Sequence, residues 1–312
     1  MFVDGRNTML EQAKLARRKP APVLQALIFI AVMAAVQTGS FILIQVFLCV
    51  AMLTGNVAGH SMLYQAVMQN TAVLVLFSLF ACAAEIILPA VYCRCIEGRS
   101  FRSMGFSRHG AAPAYVRGFV LGALMLTLAG GIAYVSGAMR FSAPAGALSP
   151  AVFLYLLGFM IQGMGEEVAF RGYFMISLSN RVPMAAAVGA SAVAFSLMHL
   201  LNAGINWLAV VNLILFGVFI ALYMLTDGNI WGAAALHTAW NFFQGNVLGV
   251  QVSGMRMGAS LLTATYTPGD TLINGGEFGL EGGLIVTLIL MAAILFETIL
   301  WRKRKQMALG NR

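Results

Sequence analysis

At 312 residues, 60% apolar, only 10% charged and with a mean hydropathy of +0.85, the chain is far more apolar than a soluble domain, in which about half of the residues are apolar and about a quarter charged. That excludes an ordinary soluble fold and points to an all-α, polytopic membrane protein with about eight transmembrane helices. The net charge of +8 is not a nucleic-acid signal, because the basic residues gather at the ends of apolar stretches, where they set topology.

Residues 1–149 hold a basic amino-terminal segment (Arg6, Lys14, Arg17, Arg18, Lys19) and three expected transmembrane helices. The first covers 23–54, an uncharged run too long for the apolar part of a signal peptide. An uncharged loop with Asn56 and His60 leads to the second, over 67–96, which carries Glu85. The third, over 115–135, follows a connection holding Arg94, Arg99, Arg102, Arg108 and Arg117. Residues 150–250 hold four more spans: 150–178, opened by the good first-turn residue Pro150; 184–201; 205–225, which closes in the turn Asp227-Gly228-Asn229; and 230–250. Residues 251–312 comprise a Gly- and Thr-rich exposed loop that folds back as a partial cap, a last span over 283–301 in which Glu297 snorkels towards the interface, and the basic tail Arg302 to Lys305.

Eight spans place both termini on one side. With the amino terminus in the cytoplasm, 16 basic residues fall inside and only Arg140 and Arg256 outside, so the expected location is a multi-pass protein of the cell inner membrane with both ends cytoplasmic. The four cysteines, Cys49, Cys82, Cys93 and Cys95, form no CxxC pair and read as core thiols.

The unusual stretch is 163–172, Gly-Met-Gly-Glu-Glu-Val-Ala-Phe-Arg-Gly, which places two carboxylates and a guanidinium inside a span. Ions in hydrocarbon are costly and face a bundle interior or a wet cavity. Glu167 and Arg171 are four apart and share a helical face, as an internal ion pair would, whereas Glu166 projects about 100° away. Two more motifs have helical spacing: Phe195-x-x-x-His199 in the fifth span and His237-x-x-x-Asn241 in the seventh. At 1.5 Å per residue, Glu166 lies roughly 18 Å, His237 roughly 11 Å and His199 roughly 23 Å from the cytoplasmic ends of their spans, depths that allow them to meet. Gln162 shares the face of Glu166 and is placed to bond it. The bland alternative is that such groups merely knit helices by hydrogen bonds. Glu85, alone on its span, reads as a packed acid, and His60 and His109 as solvated loop residues.

Glu-Glu-Val-Ala-Phe-Arg-Gly, then Phe-Ser-Leu-Met-His, then Gly-Asn-Ile-Trp with His-Thr-Ala-Trp-Asn together resemble the CPBP family of intramembrane proteases, which includes the type II CAAX prenyl endopeptidases. The resemblance covers about residues 150–250. It implies an intramembrane endopeptidase with Glu166 and His199 activating water, Glu167 and Arg171 positioning, and His237 and Asn241 stabilising the oxyanion. No serine or cysteine is placed beside a histidine as a covalent nucleophile. Two cofactor readings stay open: one divalent metal such as zinc, with Glu166, His199 and His237 as its ligands, or a glutamate mechanism with no metal. The expected partners are a peptide or membrane-protein substrate and the lipid bilayer, with no nucleic acid. The rival functions are a transporter, in which buried charges line a path, and a non-catalytic, bacteriocin-immunity-like membrane protein on the same fold.

Overall fold

The structure is a computed structural model that describes residues 8–54, 71–144 and 149–310. The expectations for Arg6, Asn56 and His60, and the first four residues of the second expected span, lie outside the described residues. A short helix α1 (Thr8–Lys14) is followed by α2 (Pro22–Thr54), α3 (Thr71–Ala81) and α4 (Ala83–Val91), the last running on as a π-helical turn to Glu97. Next come α5 (Ala111–Val135), β1 (Met139–Ser142), α6 (Ala151–Glu167, continued by a π-helical stretch Val168–Met175 and one more turn to Leu178) and α7 (Met184–Leu197). The chain ends with α8 (Trp207–Asp227), α9 (Trp231–Phe242, continued by a π turn to Val247), β2 (Thr263–Tyr266) and α10 (Leu284–Gly310).

This is the helical polytopic fold expected from composition. Among the described residues six helices are long and apolar enough to cross a membrane: Pro22–Leu43, Ala72–Glu97, Ala111–Val135, Ala151–Leu178, Trp207–Asp227 and Leu284–Arg304. The other two expected spans are helical but short, α7 having 14 residues and α9 having 12. Side chains such as Val23, Leu27, Phe41, Leu124, Phe153 and Leu288 point outward, as a lipid-facing surface requires. By contrast, Gly232 to Asn241 of α9 are all buried, which makes α9 the central post. It is clasped by α5, where Gly118 and Gly122 let the backbones touch; a Cβ at either position would strike the carbonyls of Gly232 and Leu236.

The bundle has two dissimilar ends. At the basic end the connections interlock: the Arg17 N–H donates to Glu97 O (2.8 Å), Arg181 Nη2 to Lys19 O (2.7 Å) and Trp231 Nε1 to Ser107 O (2.8 Å). Arg117 pairs with Asp227 at 3.2 Å, and Arg304 donates to Thr226 O. At the loop end β1 and β2 pair antiparallel, Met139 opposite Tyr266 and Ser142 opposite Thr263. Residues 248–283 fold back there, with Val252, Met257, Phe278 and Leu280 buried. The expected exposed loop is therefore mostly a packed cap. Asn212 Nδ2 holds its base by donating to Glu281 O (2.7 Å) and Gly283 O (2.9 Å).

Two expectations fail for local reasons. Because α10 continues to Gly310, Glu297 sits mid-helix and is 4% exposed, a buried acid and not a snorkelling one. And α7 stops at Leu197, so His199 stands in the turn just past it. The His199 ring bonds Phe195 O through Nδ1 (2.8 Å) while its own N–H turns to Ser196 O (3.1 Å), so the side chain takes the carbonyl that a further helical turn would have used.

Candidate active site

A cavity of about 120 Å³ lies inside the bundle, lined by Gln162 and Glu166 of α6, His199 beyond α7, and His237 and Asn241 of α9. That volume is enough for several waters. Two helices and the turn after a third thus bring one carboxylate, two imidazoles and a carboxamide to a common wall, a meeting that the depths allowed. Glu167 and Arg171 lie behind that wall with wholly buried side chains, paired at 3.1 Å.

Glu167 and Glu166 flank His237 from opposite sides. Glu167 Oε1 accepts from His237 Nδ1 at 2.8 Å, and Glu166 Oε2 stands 3.5 Å from Nε2. With Nδ1–H committed to Glu167, Nε2 is the ring atom that faces the cavity and Glu166. Arg171 completes the support. Its guanidinium lies 4.7 Å from the ring centroid of Phe195 and donates through Nη2 to Gly217 O of α8 (3.4 Å). The Phe195 ring in turn lies 4.7 Å from that of His199 and 6.0 Å from that of His237, so one apolar side chain spaces both imidazoles.

The front of the site is ordered by a chain of amides. Asn241 Nδ2 donates to Gln162 Oε1 (2.9 Å), and Gln162 Nε2 donates to Glu166 Oε1 (2.6 Å). The side chain of Glu166 remains 14% exposed, against 0% for Glu167, so one acid reaches the cavity and the other does not. For His199 the tautomer follows from its partner. A carbonyl only accepts, so Nδ1 carries the proton and the neutral ring presents Nε2 as an acceptor.

Several wall residues had no signal in the sequence. Ser78 and Cys82 line the cavity from the second span, and Val252, Ser253, Met255 and Glu281 line it from the cap. They belong to no motif and are joined to the site only by folding. The π-helical stretch 168–175 was equally hidden. Its turns leave carbonyls to be satisfied from outside, and Arg99 does so, Nη2 donating to Gly172 O (3.2 Å) and Ser177 Oγ (2.9 Å) while Nε pairs with Glu97 (2.6 Å). Glu85 is buried, its Oε2 without a hydrogen-bond partner, and it packs against Gly165 without lining the cavity.

The proposed zinc set can be tested on arrangement. Among the described residues no three His, Cys, Asp or Glu side chains are grouped so as to hold a metal ion. Both ring nitrogens of His237 are turned to carboxylates, one of them the buried Glu167.

No curated protein and no solved structure gives a match to the chain. Residues 148–243 match the family model described as type II CAAX prenyl endopeptidase Rce1-like, and that segment contains Glu166, Glu167, Arg171, His199, His237 and Asn241. Residues 148–243, within a helical membrane protein, are therefore similar to the Rce1-like family, as the three motifs had suggested.

Proposed function

We propose that the protein is an intramembrane endopeptidase that hydrolyses a peptide bond with a water activated by Glu166 and His199. The observation that carries this reading is the shared cavity, in which Glu166, His199, His237 and Asn241 face the same few water-sized positions. A water held between the Glu166 carboxylate and His199 Nε2 gives up a proton to Glu166 as its oxygen attacks the carbonyl carbon. The developing oxyanion takes hydrogen bonds from the Nε2–H of His237 in its doubly protonated form, whose Nδ1–H is held by Glu167 and whose charge the two flanking carboxylates offset, and from the second N–H of Asn241, the first being used on Gln162. Glu166 then returns the proton to the departing amine, so no covalent intermediate forms. Glu167 and Arg171 touch no reacting atom in this scheme and act by holding His237.

A transporter reading finds less support, because the cavity is floored by the buried Glu167, Phe170 and Arg171 instead of running on through the bundle. The test compares membrane proteomes of cells bearing wild-type protein, Glu166→Ala and His199→Ala, each checked for folding. Peptide products present only with wild type are expected. Equal products in all three would refute the assignment. Elemental analysis of the active purified protein decides the metal question: full activity without bound zinc is expected, and zinc near one equivalent that leaves together with activity on chelation would replace the glutamate mechanism by a metal-dependent one.

A further inference from the structure

The position of the cavity along the bundle says where a substrate enters. Ser78 and Leu79 of α3, Phe159 of α6, Phe195 of α7 and Leu213 of α8 all lie on the loop-end half of their spans, while Glu166 and His237, close to the midpoints, are the deepest lining groups. Below them the floor is shut by Glu167, Phe170 and Arg171, none more than 2% exposed. None of the interlocked connections of the basic end contributes a lining side chain, whereas the loop end contributes Asn202, Val252, Ser253, Met255 and Glu281.

The outer wall is a built element. Val252 and Met255 exchange backbone hydrogen bonds of 2.8 and 2.9 Å around Ser253 (φ 47°) and Gly254 (φ 84°), both in the left-handed region, as in a tight type I′ hairpin turn. The tip is pinned at Ser253: its N–H and Oγ–H donate to Glu281 Oε2 (2.8 and 2.9 Å), and its carbonyl accepts from Asn202 Nδ2 (3.0 Å). A residue other than glycine held at positive φ costs about 1 kcal/mol or more and persists only where its surroundings fix it, which happens often at ligand clamps.

We infer that substrate reaches the cavity from the loop end, past the Ser253–Gly254 turn, and that the scissile bond is presented on that face. The basic residues cluster at the other end, so the positive-inside rule makes the loop end extracytoplasmic. The substrate class is then a membrane-anchored or exported polypeptide cut at or just within the extracytoplasmic boundary of the bilayer, and not a carboxy-terminal tail lying in the cytoplasm. This rests on the endopeptidase reading above.

Two measurements on the full-length protein in cells test it. Thr265, exposed on β2, is changed to Cys and treated with a membrane-impermeant maleimide, with the wild-type chain as background. Labelling of intact spheroplasts is expected. In parallel, new amino termini in membrane proteins are mapped in wild-type and Glu166→Ala cells, and the Glu166-dependent ones are expected at extracytoplasmic ends of substrate spans. Labelling only in inverted vesicles, or Glu166-dependent termini at cytoplasmic ends, overturns the inference while leaving the endopeptidase standing. A complete lack of Glu166-dependent termini overturns the endopeptidase, and this inference with it.

Discussion

The Oε1 atom of Glu167 is shared by His237 Nδ1 at 2.8 Å and Arg171 Nη1 at 3.1 Å. One buried carboxylate thereby orients an imidazole and neutralises a guanidinium, which ties the stability of α6 to the chemistry on α9. Removing either charge strands the other in a dry interior, at about 3–5 kcal/mol. Arg171→Ala is expected to unfold at clearly lower temperature in detergent, and an unchanged midpoint would contradict the pairing. Exchanging the charges, Glu167→Arg with Arg171→Glu, is expected not to rescue stability, because it sets a guanidinium against His237 and a carboxylate over the face of Phe195.

The amide chain Asn241, Gln162, Glu166 makes a graded prediction. Asn241→Ala loses an oxyanion donor, and kcat is expected to fall about 10²–10³-fold. Gln162→Ala leaves Asn241 in place but loses its anchor together with the bond that aims Glu166, a charged-group bond worth about 1.5–3 kcal/mol, or about 10–100-fold. The double variant is expected to lose less than the product of the two, since both act on one unit. Strict additivity would mean that Gln162 does not connect them.

Much of this was legible in the chain because membrane burial makes charge conspicuous. Glu166, Glu167 and Arg171 stood out within an apolar span, and the i, i+4 spacing of Glu167 and Arg171 sufficed to pair them. The bond from Gln162 to Glu166 follows from the same spacing and is made. What the spacing left open was the partner of His237. Its Nδ1 goes to Glu167, a contact between residues 70 apart in sequence that depends on how α6 and α9 pack. The cap was expected only as a partial one on an exposed loop, and its burial was hidden for a similar reason. Its Gly- and Thr-rich composition matches exposed loops, and only the fold brings Asn212, Trp240 and Glu281 together to bury it.

Cys82 changes the expected response to thiol reagents. A mechanism without a thiol nucleophile predicts indifference, but Cys82 lines the cavity beside Glu166. Small alkylating reagents that reach it are expected to block the site by bulk, with inhibition lost in Cys82→Ala while basal turnover stays near wild type. If Cys82→Ala is itself inactive, the thiol takes part in the reaction and the water mechanism is wrong.

Glu281 offers the last test, of the cap. Its carboxylate accepts from Trp240 Nε1 (3.0 Å) through Oε1 and from both donors of Ser253 through Oε2, so it joins the tip of the cap to α9 one residue before Asn241. Glu281→Gln keeps one acceptor oxygen and puts an NH2 group opposite either the Ser253 donors or the indole N–H, where donor meets donor. Each bond lost to an unpaired buried donor costs about 1–3 kcal/mol. Asn212 holds the cap base through the backbone carbonyls of Glu281 and Gly283, which the substitution leaves in place. Loosening is therefore expected at residues 252–255 alone. Added protease should cut Glu281→Gln at this turn and spare it in wild type, and KM should rise more than kcat falls, because the wall is disturbed while Glu166, His199 and His237 are not. Ser253→Ala, which removes one of the three donors, should show the same pattern more weakly. A Glu281→Gln protein whose turn resists protease as wild type does would show that the cap is held by its apolar packing at Val252, Met257 and Phe278 and not by the carboxylate.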